Sequence, residues 1–360
     1  MTDTAPTNDG RRSVIIGVDT HKYVPVAVAI DECGARPGEL SIDANTPGYR
    51  ALHEWAKTLG RARTYGMEGT HSYGAGLTRL LRRAGERVVE VNRADRRSRH
   101  HNGKSDPLDA ESAARSVLNG TATAIPKDAE GLSEMIRQIK VARDSARKAR
   151  SATMVALKSL VVNAPSELRE SLGELSDTIL LERCASYRIT EMNSVTISAK
   201  YSLRSLARRW RDLNNKVKGH DCHLRELTQQ LSPTLCASFG VGPDIAAEML
   251  VVFGDNPERV HSEAAFAKIC GACPIPASSG ITHRHRLFRG GHRHANAALH
   301  RAVIVRMRHH EPTKAYVIRR TEEGLTKRDV IRCLKRHLAR EIYQCVMGDY
   351  RARKSLAEAA

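Results

Sequence analysis

Aromatic side chains are scarce: Phe, Trp and Tyr make up 4% of the 360 residues. The hydrophobic fraction is still 41%, so the cores have to be built from Leu, Val, Ile and Ala, which favours helices and small α/β units. Long apolar runs are missing too. No stretch approaches the roughly 18 consecutive apolar residues of a membrane-spanning helix, and the first ten residues are polar, with Asp3 and Asp9, which argues against a signal peptide. The expectation is a cytoplasmic protein with no membrane partner. Eight cysteines in so long a chain are too sparse for a disulfide-stapled scaffold and read as reduced thiols. Acids are also in short supply. Against 58 Lys and Arg stand 40 Asp and Glu, a net charge of +18, which implies a polyanionic partner or an acidic membrane surface. Without an apolar anchor, that partner is nucleic acid.

What is present organises the chain into several domains, since 360 residues exceed the usual ceiling of one hydrophobic core. After a disordered leader (1–12), Ser13 to Val18 and Val24 to Ile30 are apolar runs that read as a hairpin, with Asp19 at the end of the first. Thr46-Pro47-Gly48 reads as a turn, Tyr49 to Leu59 as a helix, and Arg63 to Met67 as a strand ending in Glu68. Leu77 to Ala84 is a helix stopped by Gly85 before a strand, Arg87 to Val91. Ser105-Asp106-Pro107 starts a helix that Asn119-Gly120 ends. This alternation predicts an α/β domain over 13–125. Two long helices, from Asp128 to about Val162 and from Leu203 to Leu231, predict an arm over 126–231. It either dimerises or folds back as a simple hairpin. A mostly helical domain should fill 232–350, with a frayed tail over 351–360.

Four acids stand out within this frame. Gly17-Val18-Asp19 and Met67-Glu68-Gly69 put carboxylates at strand ends, and Asp106 and Asp109 lie three apart on one helical face. Phosphodiester chemistry needs hard Mg²⁺ ions, which carboxylate oxygens hold, so the set fits a metal site. Singly, each acid has a plainer reading: a turn residue, a solvated loop acid, a helix cap and a partner for the helix dipole. The segment Asn92 to Lys104 beside them is basic, with Arg93, Arg96, Arg97 and Lys104.

The last third is more basic still. Between Glu263 and Glu311 there is no Asp or Glu, while Arg284, Arg286, Arg289, Arg293, Arg301, Arg306 and Arg308 are all cationic, which argues for polyanion contact. Phe239-Gly240-Val241-Gly242-Pro243 has the form of a helix-hairpin-helix turn, in which Gly240 and Gly242 let backbone amides approach a phosphate; an ordinary Gly-Pro turn is the alternative. In Ala277-Ser278-Ser279-Gly280 a serine among cations is either a nucleophile or a turn residue. Cys270 and Cys273, with His283 and His285 following, allow a zinc reading, but the usual second-half spacing is missing, and buried thiols are the simpler account.

The order Gly17-Val18-Asp19-Thr20-His21-Lys22, Met67-Glu68-Gly69-Thr70, then Lys104-Ser105-Asp106-Pro107-Leu108-Asp109-Ala110 resembles the DEDD transposases of the "one-ten" insertion-sequence family, and the resemblance covers nearly the whole chain. It implies an N-terminal domain like the Holliday-junction resolvases of the RNase H-like superfamily, with Asp19, Glu68, Asp106 and Asp109 coordinating Mg²⁺. It further implies a C-terminal transposase domain whose serine attacks DNA covalently. Ser279, directly before Gly280, matches that serine, with Ser278 as the fallback. The implied partners are element-end and target DNA, a guide (bridge) RNA encoded by the element, and further copies of the chain in a dimer or tetramer. Two other readings stay open: a Holliday-junction-resolvase-type nuclease using only the carboxylates, and a non-catalytic nucleic-acid-binding protein.

Overall fold

A computed structural model describes residues 13–91, 105–280 and 285–359. The expected leader, the basic residues Arg93, Arg96, Arg97 and Lys104, and also His283 and Arg284, lie outside the described residues. The chain divides into two compact units: one is built from the residues before Glu130 together with Gly254–Arg259, the other from Glu130–Phe253 and the residues from Val260 onward.

The first unit is a mixed α/β layer. Strands β1 (Ser13–Asp19), β2 (Val26–Asp31), β3 (Gly38–Ser41), β4 (Ala62–Met67) and β5 (Arg87–Glu90) form one sheet in the order β3-β2-β1-β4-β5. The expected hairpin is the antiparallel β1–β2 pair, while β4 runs parallel to β1, and β5 parallel to β4. Helices α1 (Thr46–Leu59) and α2 (Ala75–Arg83) cover one face. There Val14, Ile16 and Val18 of β1 pack with Leu52, Ala56, Leu77 and Leu81 in a core that also buries Tyr65 and Met67. Alternation along the strand turns Gly17 to the other face, against α3 (Asp106–Leu118).

That second face explains the two glycines. Gly17 and Gly66 are direct neighbours across β1 and β4. A Cβ on Gly17 would fall 1.9 Å from the Ala110 carbonyl oxygen and 2.6 Å from the Ala114 nitrogen; one on Gly66 would fall 2.8 Å from Val117 Cγ2. With Ala110, Ala113 and Ala114 buried on its inner side, α3 lies almost directly on the sheet backbone. Its first turn is thereby carried to the edge where β1 and β4 end.

Thr46-Pro47-Gly48 is not a turn. Asn45 caps α1 by accepting the Gly48 N–H at 2.9 Å, and Pro47 occupies the first turn, where its missing N–H costs nothing. The three residues are typical of a turn, yet the Asn cap before them turns the same chemistry into a helix start.

The second unit is mostly helical. The arm consists of α4 (Leu132–Val162) and α7 (Val195–Leu231), which lie antiparallel along each other, with Arg143 donating to Asp221 at 2.8 Å and Arg150 to Asn214 at 2.6 Å. Within the chain, then, the long helices pair with each other. The polar stretch between them holds α5 (Ser166–Gly173) and α6 (Asp177–Ser186), whose Leu168, Leu172, Leu180 and Leu181 close a core around Leu157, Val161, Leu203 and Ala207. At the other end of the arm, Ile136, Leu224 and Leu231 join a larger core with α9 (Pro243–Phe253), α10 (Glu263–Ile269), α11 (Arg293–His309) and α13 (Lys327–Glu358). The short α8 (Pro233–Ala237), α12 (Glu311–Glu322) and a two-stranded hairpin, β6 (Pro274–Pro276) with β7 (His285–Leu287), complete it. The expected tail is mostly helix, since α13 continues through it to Glu358. No described helix is long and apolar enough to cross a membrane.

Candidate metal centre

The carboxylates gather at the edge that the fold prepares. Asp19 ends β1, and because Val18 pairs in parallel with Met67, the next residues of the two strands, Asp19 and Glu68, leave the sheet side by side. Thr20 ties these exits together, its hydroxyl donating to the Glu68 carbonyl at 2.9 Å. The chain then turns back at Gly69, which adopts φ +63°; a Cβ there would meet the Ser72 hydroxyl at 2.8 Å. Asp106 and Asp109 both stand in the first turn of α3, where the helix dipole favours negative charge.

Electrostatics ties the four together. Asp19 is half-buried and its carboxyl is held above the usual carboxylate range. Burial pushes it up, His21 pulls it down, and Asp106, Asp109 and Glu68 each push it up. Asp19 thus feels all three other acids at once. Ligand atoms of Asp19, His21 and Asp106 lie within 4.8 Å of one another, with His21 Nε2 3.9 Å from Asp106 Oδ1. The donor chemistry fits a divalent cation: the Asp19 and Asp106 carboxylates converge with the His21 imidazole, while Glu68 and Asp109 stand outside this group and act on Asp19 through their charge. Sequence reasoning missed His21 as a group at this centre, although it stands two residues after the strand-end acid.

The C-terminal residues divide into two sets. Ser278 and Ser279 are exposed, directly after the β6–β7 strand Pro274–Pro276, and Gly280 adopts φ +54°. Arg286, Arg289 and Arg293 are exposed and have no acidic partner among the described residues. The Gly290-Gly291 step between them is a packing requirement, since a Cβ on Gly291 would lie 2.3 Å from the Gly271 nitrogen. By contrast, Arg301 pairs with Asp244 at 2.9 Å, while Arg306 makes a two-pronged bridge to Glu341 and donates to the Phe239 carbonyl. These two cations hold the protein together.

The helix-hairpin-helix-like turn is the 238–242 connection between α8 and α9. Gly240 takes φ +77° and packs on the Ala302 carbonyl, and the Gly242 carbonyl accepts the Ile245 and Ala246 amides. Asp244, in the first turn of α9, is clamped by Lys140, Arg143 and Arg301. Burial raises its pKa, but the Lys140 hydrogen bond and the surrounding cations hold it below the usual range. The N-terminal turn of α9 therefore already carries an anion of its own. Nearby, burial pushes the Cys270 thiol up to about 12, and Cys273 is partly exposed.

Residues 16–164 match the model of the DEDD transposases of the IS110 type, described as a transposase, and residues 232–317 match that of the Transposase IS116/IS110/IS902 family. No curated protein matches the chain. The two matched segments, one spanning the acids and the other the serines and free arginines, mark a DNA transposase or recombinase of an insertion sequence. The chain belongs to the IS110 family of DEDD transposases, the "one-ten" family that its motifs resemble. Membership brings DNA as the substrate and the use of a divalent metal, for which Asp19, His21 and Asp106 form a possible ligand group.

Proposed function

We propose that this transposase cuts and rejoins DNA with two sets of groups: Asp19, Glu68, Asp106 and Asp109 as ligands for Mg²⁺ in an RNase H-like unit, and Ser279 as a covalent nucleophile. The observation that carries the reading is the convergence of Asp19, His21 and Asp106, whose ligand atoms lie within 4.8 Å of one another at the sheet edge where Glu68 leaves beside Asp19. When bound, Mg²⁺ supplies activation of oxygen nucleophiles and neutralisation of charge on the scissile phosphate. The protein's own contribution is orientation: Thr20 fixes the Glu68 exit and the Gly17/Gly66 platform fixes the height of the Asp106–Asp109 turn. His21 stands beside the acids, its Nε2 3.9 Å from Asp106 Oδ1, and offers a further ligand atom to the centre.

Ser279 attacks the scissile phosphorus through Oγ, so a phosphoserine ester forms as the phosphorus–oxygen bond to the departing strand breaks. The hydroxyl proton passes to solvent water and the departing strand's oxygen takes one up from water, which closes the balance. Arg286, Arg289 and Arg293, exposed and without carboxylate partners, offset the phosphate charge. A guide RNA from the element and assembly as a dimer or tetramer complete the reading, with the protein acting on nucleoid DNA in the cytoplasm. The exposure of Ser279 beside a left-handed glycine supports the covalent step, since an attacking oxygen has to reach the backbone of its substrate.

The test uses purified full-length protein, element-end DNA and the element's non-coding RNA. Asp19→Ala and Ser279→Ala should each abolish strand exchange and leave DNA binding within a few fold. A denaturation-resistant protein–DNA adduct should form and should disappear in Ser279→Ala. Exchange that survives both substitutions overturns the proposal; exchange that survives only Ser279→Ala identifies a nuclease working with its carboxylates alone.

A further inference from the structure

The arm carries an unexplained charge. Its helices run antiparallel in a register set by the Arg143–Asp221 and Arg150–Asn214 contacts, so residues 145–166 lie alongside 198–219. In these two stretches stand eleven Lys and Arg and a single acid, Asp212. Some cations are used locally: Arg150 covers the Trp210 ring, Lys158 pairs with Asp177, and Arg204 donates to the Tyr187 carbonyl. Lys148, Arg208, Arg209, Arg211, Lys216 and Lys218 are exposed and have no acidic partner among the described residues.

Lys200, Arg204, Arg208, Arg211 and Lys218 recur at helical spacings of three, four and seven, which lines them up along one stripe of α7 that borders the buried Ala207. Tyr201, Arg204, Arg208, Arg209 and Lys216 line a surface groove of about 520 Å³ on the same helix, in which Asp212 is the one acid among four cations. Lys200 sits over the Tyr187 ring and Arg204 over the Tyr201 ring, but Arg208, Arg211 and Lys218 make no ion pair among the described residues, and like charges four residues apart destabilise a helix by a few tenths of a kcal/mol per pair. The cations of α12 and α13 behave differently. Arg319 and Arg320 meet Glu323, Arg332 meets Asp329, and Arg336 and Arg340 meet Glu263.

We infer that the arm is a second DNA-contacting surface, on which α7 tracks the phosphate backbone of a duplex without reading its bases. The inference rests on DNA as the family's substrate but not on the Ser279 or Mg²⁺ assignments. From Lys200 to Lys218 the stripe spans about 27 Å, enough to follow roughly eight base pairs. Tyr201 is the one exposed aromatic residue of the groove, and Trp210 is covered by Arg150, so there is no row of rings on which unpaired bases would stack. Contact through phosphates suits a duplex.

Full-length Arg208→Gln/Arg209→Gln/Arg211→Gln protein, with side chains that keep helix propensity, is compared with wild type for binding a duplex of arbitrary sequence over a range of salt. Affinity at moderate salt should fall roughly tenfold, and the slope of log affinity against log salt should become shallower by about 2–3. The triple Lys variant should restore both. Lys148→Gln/Lys216→Gln/Lys218→Gln provides the same readout should the first variant fold poorly. Unchanged affinity and slope in the Gln variants overturns the inference, as does a loss confined to RNA probes. Strand exchange by the wild-type protein, run in parallel, reports on the functional reading separately.

Discussion

Neutralising Asp19 acts on stability in opposite directions with and without metal. Its carboxyl is penalised by burial and by Asp106, Asp109 and Glu68, so in the metal-free protein the charge is a cost that an isosteric amide removes. Asp19→Asn should therefore melt at or above the wild-type temperature without metal. With Mg²⁺ the order should reverse, because a ligand that binds only the folded state stabilises it, by roughly 2.7 kcal/mol at about a hundred times Kd, and the variant loses that gain. Differential scanning fluorimetry with and without Mg²⁺ checks both signs; a variant that melts lower without metal and still responds to Mg²⁺ would place the cation elsewhere. The positions of the acids, at a strand end and in the first turn of a helix, were legible in the sequence because strand-end position and helical spacing are local facts. His21 was not, since its approach to Asp106 depends on how the chain leaves β1. The division of the arginines into structural Arg301 and Arg306 and free Arg286, Arg289 and Arg293 was equally hidden. Each structural partner, Asp244 or Glu341, is remote in the chain.

At the scale of elements, the position of α3 decides whether the centre exists at all. A methyl on Gly17 meets helix backbone at 1.9 Å, which cannot rotate away as a side chain can, whereas one on Gly66 meets the Val117 side chain at 2.8 Å and helix backbone, the Ala113 carbonyl oxygen, only at 3.0 Å. Gly17→Ala should lift α3 from β1, at a cost on the order of 1–3 kcal/mol or more for overpacking, and carry Asp106 and Asp109 away from Asp19. Gly66→Ala should cost less and keep more of the Mg²⁺ response. Melting temperature and Mg²⁺-induced stabilisation, measured on both variants, test the ranking; equal losses would mean that the helix does not set the site. The strands and helices were legible because their apolar periods are strong, as in Ser13–Asp19 and Leu132–Val162. β3 was missed because Gly38–Ser41 is short and polar, a strand made by pairing with β2 rather than by its own residues. The start of α7 at Val195, ahead of the expected Leu203, reflects the Ser194 cap, which accepts the Ile197 amide beyond the reach of the apolar pattern.

For the whole molecule, the charge surplus and the acidic centre should be separable by two different treatments. A net charge of +18, with free cations on α7 and around β7, makes binding to DNA a matter of displaced counterions, which salt weakens and a chelator does not touch. Carboxylates contribute nothing attractive to a phosphate until a cation screens them, so under the proposed function the chemistry depends on metal while the encounter does not. Removing divalent metal with a chelator at low salt should therefore abolish strand cleavage and leave duplex binding within about two- to threefold of its value with Mg²⁺. Raising monovalent salt several-fold at constant Mg²⁺ should do the reverse at subsaturating protein. Binding falls by orders of magnitude, and cleavage falls in proportion to occupancy, with the rate on the bound fraction unchanged. Single-turnover cleavage and anisotropy on the same samples separate the two quantities. Binding that collapses with chelator at low salt would make the metal centre the main DNA-holding element, and the basic surfaces would then need another partner.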